Sequence, residues 1–415
     1  MTGGLERSAA APAGPGSVPT VGSPEFFEDP YPTYRALRER SSMTRLAPGV
    51  LACTRYTHCL RLLRDRRLSA RRFMRPLSDY TAAQQSRLAT WMRVASIQVI
   101  SMDPPQHTRL RSFLTRAFAP EAIERLKPGI EALLSELLDT IPRGEAVDFI
   151  GRVARRFPAL VIGEVLAIPR ADRERLLHWC DVFMDFFTAV PAPFELALEA
   201  QQAVIELIEY AKPIVAQRKS RPGSDLISLM LEARVEGAEI TSEEVLAQCM
   251  LFLVAGYETM RNLLGNGLYT LLRDPAAMQQ LRQEPAMMRG AVAEVLRFQG
   301  PVQGITRVVA VPFDLFGEKL EPGQALIVLA GSANRDPRHF REPDRFDIRR
   351  RLNAHLTFGA GPHTCLGNYL ARVEAELALS MLLARYPRIE MCDPRPPWAH
   401  TLLVRGLKSL NVVLD

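Results

Sequence analysis

The sequence predicts a mainly α-helical domain with a minor β portion. Two observations lead there. From about Pro105 to Arg297 apolar residues recur at intervals of three and four, as in Ile123, Leu126, Ile130, Leu133, Leu134 and Leu137, the spacing that gathers them on one helix face. After Phe298 the texture changes to short β-like runs set between Gly and Pro, at residues 306–311, 325–329, 401–404 and 410–414.

Taken in order, residues 1–24 are rich in Ala, Gly, Pro and Ser, a composition that predicts a mobile leader. Residues 25–415 are then expected to form one domain, with order beginning near Pro30-Tyr31-Pro32 ahead of an amphipathic run over 34–40. Breaks such as Arg221-Pro222-Gly223-Ser224-Asp225 end the helices that follow. Residues 242–272 stand out. Thr241 and the acids Glu243 and Glu244 make a capped start, and about 30 residues at 1.5 Å each make a rod of about 45 Å. Its middle is apolar all round, which predicts burial. An irregular segment rich in Arg, Asp and Pro follows at 334–353, then a last helix over 366–385. No repeat and no linker divides these parts.

The composition bounds the function. The chain has 415 residues, 47% hydrophobic and 24% charged, enough to bury a core without disulfide staples. A net charge of +6 is too diffuse to point to nucleic acid. Six cysteines (Cys53, Cys59, Cys180, Cys249, Cys365, Cys392) include no C-x-x-C pair, so reduced, mostly buried thiols are expected. The N-terminus lacks a secretory apolar core, and the apolar stretch 245–257 contains Gln248 and falls short of the ~20 residues a membrane helix needs. A cytoplasmic protein is the expectation.

The sharpest motif is Phe358-Gly-Ala-Gly-Pro-His-Thr-Cys-Leu-Gly367, running into the last helix. A cysteine just before a helix meets unpaired backbone N–H groups and the positive dipole end, which lower its pKa and favour a thiolate ligand or nucleophile. Gly359, Gly361 and Gly367 remove side chains, so a flat, bulky group can lie against the backbone. A Gly-x-x-Cys alone reads as a turn with a buried thiol; the whole string does not. Gly-Lys-Ser/Thr is absent, which disfavours a phosphate loop.

In this motif the chain resembles the cytochrome P450 family, whose haem iron is held by a cysteine thiolate. The resemblance implies the cytochrome P450 fold with the long helix across the haem. It makes Cys365 the axial ligand of haem b, iron protoporphyrin IX, with Phe358 and Gly359 in the haem-binding loop. Four further stretches agree in order. Ala255-Gly256-Tyr257-Glu258-Thr259 lies mid-helix, where Gly256 leaves room for a small ligand and a buried carboxylate needs a reason. It resembles the family's oxygen-binding motif, with Thr259 the hydroxyl beside dioxygen and Glu258 the acid that feeds it protons. Tyr257 and Met260 depart from the common form. Glu294-Val-Leu-Arg297, an i, i+3 pair that is commonplace by itself, resembles a structural E-x-x-R element, expected to form a buried triad with Arg345. His107 and Arg111, four apart on one helix face, can clamp a carboxylate or form a solvated basic helix. By resemblance they bind a haem propionate, as do Arg307 and His363.

The reaction implied is monooxygenation, inserting one oxygen of O2 into a bulky apolar substrate by hydroxylation or epoxidation. No flavin or nicotinamide domain is visible, so electrons are expected from NAD(P)H through a ferredoxin reductase and a ferredoxin, with the chain itself a monomer. Arg109, Arg116 and Arg372 are candidates to attract the acidic partner, or ordinary solvated arginines. Residues 82–100 and 183–194 are expected over the substrate pocket, and a macrolide, polyketide or terpenoid of secondary metabolism is the expected class, free or carrier-bound. A peroxide-driven enzyme would dispense with Glu258 and Thr259; a haem sensor or electron carrier would need no substrate pocket.

Overall fold

A computed structural model describes residues 18–71, 80–189, 192–235 and 237–415. Helices α1 (Ala89–Ser96), α2 (Gln106–Ala117), α3 (Arg156–Val165), α4 (Arg173–Thr188), α5 (Ser242–Leu272), α6 (Met288–Phe298) and α7 (Asn368–Arg385) frame the site. The start of α5 is a reciprocal capping box: Glu244 N–H donates to Thr241 Oγ1 at 3.1 Å and Thr241 N–H to Glu244 Oε2 at 2.9 Å. Its 31 residues run through the main core, with α3, α4, α6 and α7 packed against them. At Gly256 the approach is close, since a Cβ there would stand 3.1 Å from Ile162 Cδ1 of α3. Among the described residues no helix is long and apolar enough to cross a membrane.

The main sheet joins distant parts of the chain. Its strands are β1 (Met43–Ala47), β2 (Val50–Cys53), β3 (Leu68–Ser69), β4 (Ile305–Val309) and β5 (Ala325–Val328), in the order β1-β2-β5-β4-β3. Only the β2–β5 pair is parallel, and every residue of Val50–Cys53 is buried, as a strand covered on both faces requires. A smaller sheet pairs Asn411–Leu414 with Ala146–Asp148 and Ile389–Met391.

Several expectations need correction. Residues 401–404 form no strand: Thr401 Oγ1 donates to the Val404 carbonyl at 2.7 Å and closes a turn, leaving one bridge between Val302 and Val404. Packing begins before Pro30, because Ser23 caps the helix Pro24–Glu28 and Phe26 is buried within it. Residues 1–17 of the expected leader lie outside the described residues.

The expected triad is also built differently. Glu294 and Arg297 pair through both oxygens at 2.7 and 2.8 Å with neither side chain exposed. The third member is Arg350, whose Nε lies 3.1 Å from both Glu294 oxygens. Arg345 turns its side chain outward and gives only its carbonyl to Arg297. Asn353 Nδ2 and the Asp347 N–H also donate to Glu294. Glu294→Ala should therefore destabilise the fold by about 3–5 kcal/mol, the usual cost of leaving a buried charge without its partner. Chemical denaturation checks this, and a loss near zero would contradict it.

Candidate active site

The loop from Phe358 to Cys365 is closed by a hydrogen bond from Cys365 N–H to the Phe358 carbonyl at 2.8 Å, and Asn368 Nδ2 holds the Cys365 carbonyl at 2.7 Å. Gly361 has φ +74°, and a Cβ there would stand 2.8 Å from the Leu63 carbonyl oxygen, so only glycine fits. Helix α7 begins at Asn368, three residues past the cysteine. Burial pushes the Cys365 thiol up, while the Gly367 N–H and the Arg111 charge pull it down. The expected net lowering therefore does not appear. Desolvation of the bare sulfur outweighs the helix terminus.

Basic side chains collect beside this loop. The His107 and His363 rings are 4.0 Å apart, and Arg111 Nη2 donates to the Thr364 carbonyl at 2.5 Å. A Cβ on Gly359 would lie 3.6 Å from Ile305 Cδ1, so β4 runs beside the loop, and Arg307, two residues on, shares the face of Ile305. Arg307 is buried and donates from Nη1 to the Thr306 carbonyl, a neutral acceptor. Burial lowers the His107 pKa, reinforced by Arg111 and Arg307 and opposed by Asp103. His107 Nε2 is buried with no hydrogen-bond partner. Asp103, which anchors Ser69 and Ala70, is the acid facing this cluster.

The opposite wall is α5. Phe252, Ala255 and Thr259 stand three and four apart and share a face, and Ala255 is exposed in the middle of a buried helix. Phe118 bridges the walls. Its ring meets Phe252 edge-on at 4.9 Å, and its edge would lie 3.8 Å from a Cβ on Gly367. Thr259 Oγ1 donates to the Ala255 carbonyl at 2.7 Å, leaving its lone pairs free to accept. Glu258 does not face Thr259. Its carboxylate accepts from Asn262 Nδ2 at 2.8 Å and Arg261 Nη1 at 3.3 Å on its own helix.

The family model described as Cytochrome P450 matches residues 168–405. The cytochrome P450 monooxygenase PikC of Streptomyces venezuelae is 35% identical over 94% of this chain and 92% of its own. The chain belongs to the cytochrome P450 family. Solved structures agree: the Bacillus subtilis bacillaene polyketide synthase cytochrome P450 PksS has a TM-score of 0.84 at 31% identity, covering 95% of this chain and 99% of that one. P450BioI, solved with a hexadecenoic acid-ligated acyl carrier protein, has a TM-score of 0.85 at 31% identity, covering 95% and 100%. This cytochrome P450 is a monooxygenase, an oxidoreductase that uses haem and dioxygen.

The residues present fit the haem of a cytochrome P450. A half-buried cysteine stands in a glycine loop, and the basic cluster, with its orphaned His107 nitrogen and, among the described residues, Asp103 as its facing acid, calls for anionic groups of the propionate kind. The uncovered stripe of α5 supplies an apolar wall. Sequence reasoning missed Asp103, Arg261 and Asn262. The last two carried a signal in their i+3 and i+4 spacing from Glu258. It also placed Arg109 and Arg372 too freely. Arg109 pairs with Glu244, and Arg372 lies 3.3 Å from a His355 ring nitrogen and 5.2 Å above Phe358. Arg116 is exposed. A cavity of about 530 Å³ lies elsewhere, between Tyr31 and the C-terminal end of α5, and none of these residues lines it.

Proposed function

We propose that this cytochrome P450 hydroxylates or epoxidises a bulky apolar secondary metabolite of macrolide, polyketide or terpenoid type. The balance is R–H plus O2, two electrons and two protons giving R–OH and water. The observation that carries the substrate class is the aromatic roof. Trp91 of α1 meets Phe183, Phe186 and Phe187 of α4 at 6.1, 5.1 and 5.6 Å. Tyr80 meets Phe194 at 5.5 Å and donates its hydroxyl to the Ala192 carbonyl. The two stretches expected over the pocket thus pack together (residues 190–191 lie outside the described residues), and an apolar cluster of this kind, placed over the haem, would suit a large apolar ligand. PikC and PksS, a monooxygenase and a polyketide-biosynthesis enzyme by name, support the same class.

Residues 25–415 act in this reading as one haem-thiolate domain. Cys365 would hold the iron and Phe358 and Gly359 would shape its loop; Ala255 would leave room on the uncovered face of α5, whereas Gly256, expected to do the same, gives its space to Ile162 of α3. His107, Arg111, Arg307 and His363 hold the propionates. A thiolate-bound haem supplies electron density that favours O–O cleavage. Thr259, whose own proton is committed to the Ala255 carbonyl, would present Oγ1 as a hydrogen-bond acceptor toward the dioxygen side of the pocket. Glu258 takes protons from solvent and swings from Arg261 and Asn262 to deliver them. The roof excludes water. Electrons come from NAD(P)H through a ferredoxin reductase and a ferredoxin in the cytoplasm, and the chain works as a monomer.

A visible absorption titration of purified enzyme against macrolides, terpenoids, steroids and fatty acids tests this reading. A saturable shift to the high-spin form with a macrolide or terpenoid is expected. A shift only with an acyl group on a carrier protein, as the P450BioI structure displays for that enzyme, would replace the free-substrate reading.

A further inference from the structure

Tyr257 separates Gly256 from Glu258 on α5, with its side chain 2% exposed. Its hydroxyl reaches across to α4 and donates to Asp181 Oδ1 at 3.0 Å. Asp181 also receives the Arg155 guanidinium on both oxygens, with Nε 3.1 Å from Oδ1. Arg155 stands where the π-helical turn Ile150–Ala154 meets α3. One carboxylate therefore ties α3, α4 and α5 together, beside the close crossing at Gly256.

The two ties at Asp181 hold different helices. Arg155 grips both oxygens from the start of α3, while the Tyr257 hydroxyl, donating to a charged acceptor, holds α4 to α5. Within two turns of Asp181 on α4 stand Phe183, Phe186 and Phe187, the residues that close on Trp91.

We infer that the Tyr257 hydroxyl, acting through Asp181, holds α4 down over the substrate pocket and sets how fast a bulky ligand passes beneath it. Tyr257 is thus a positioning residue for substrate. The inference rests on the reading above that α4 roofs the haem pocket. Without the hydroxyl, α4 keeps its apolar packing and its Arg155 tie to α3 but loses its directional anchor to α5, and the aromatic roof opens more often.

Stopped-flow mixing of the haem-loaded enzyme with 4-phenylimidazole and with imidazole, a bulky and a small iron ligand, tests it. Tyr257→Phe removes only the hydroxyl. It should speed both association and dissociation of 4-phenylimidazole by roughly three- to tenfold, leaving imidazole rates unchanged. Asp181→Asn keeps a neutral acceptor for the hydroxyl, so its 4-phenylimidazole rates should fall between those of wild type and Tyr257→Phe. Asp181→Ala removes both ties and should be at least as fast as Tyr257→Phe, and adding Tyr257→Phe to it should change nothing further. Wild-type rates for both probes in Tyr257→Phe and Asp181→Ala would overturn the inference. So would equal acceleration of both probes together with a fall in melting temperature, which marks general loosening. Failure of wild type to bind 4-phenylimidazole at all would overturn the haem-pocket reading beneath it.

Discussion

Cys365→Ala is expected to abolish the thiolate signature of the ferrous carbon monoxide spectrum and, with it, essentially all monooxygenase turnover. The loop around Cys365 is held by its own backbone, through Cys365 N–H to the Phe358 carbonyl and glycines at positions only glycine tolerates. Removing the sulfur should leave the loop folded and take away only the ligand. Haem still meets the basic cluster, so weak binding without thiolate character is the expected spectrum. A group that binds only the folded state stabilises it by RT ln(1 + [L]/Kd), about 4 kcal/mol at a thousandfold excess over Kd. The melting temperature of Cys365→Ala should accordingly fall most of the way toward that of the haem-free wild type. An unaltered carbon monoxide spectrum in this variant would remove Cys365 from the site.

Thr259→Ala should leave electron consumption running while product per electron falls about a hundredfold, the low end of what a positioned proton relay contributes. The missing electrons should appear as hydrogen peroxide. The geometry gives the reason. Thr259 sits on the uncovered face of α5 with its hydroxyl proton committed to the Ala255 carbonyl, so it presents an acceptor toward the oxygen side. Alanine presents nothing. Thr259→Ser keeps the hydroxyl and should restore most of the product yield. Measuring NADPH oxidised, peroxide formed and product formed in one assay separates the outcomes, and unchanged product per electron in Thr259→Ala would exclude the role.

Much of the fold was legible because its signals are local. The capped start of α5 at Thr241, its apolar middle, the glycine-cysteine loop and the last helix are each written in a short window. The strands β1 and β2 were not legible. They are short, and what makes Val50–Cys53 a strand is its pairing with Ala325–Val328, a partner no local window contains. The same reasoning covers the buried triad. An E-x-x-R spacing predicts that Glu294 meets Arg297, but the choice of Arg350 over Arg345 depends on how residues 341–353 fold back on Glu294. At the site, residue types were readable while side-chain directions were not. Glu258 is tethered to Arg261 and Asn262, a rotamer that its position in the motif does not reveal.

The parallel pairing of β2 with β5 also orders events in time. During synthesis at about 5–20 residues per second, Val50–Cys53 leaves the ribosome long before Ala325–Val328 exists to cover it. For most of that interval an apolar strand edge waits without its neighbour, a standing invitation to wrong pairing. The cysteine loop comes later still, after β5, so every strand of the main sheet has been made before Cys365 becomes available to bind a haem.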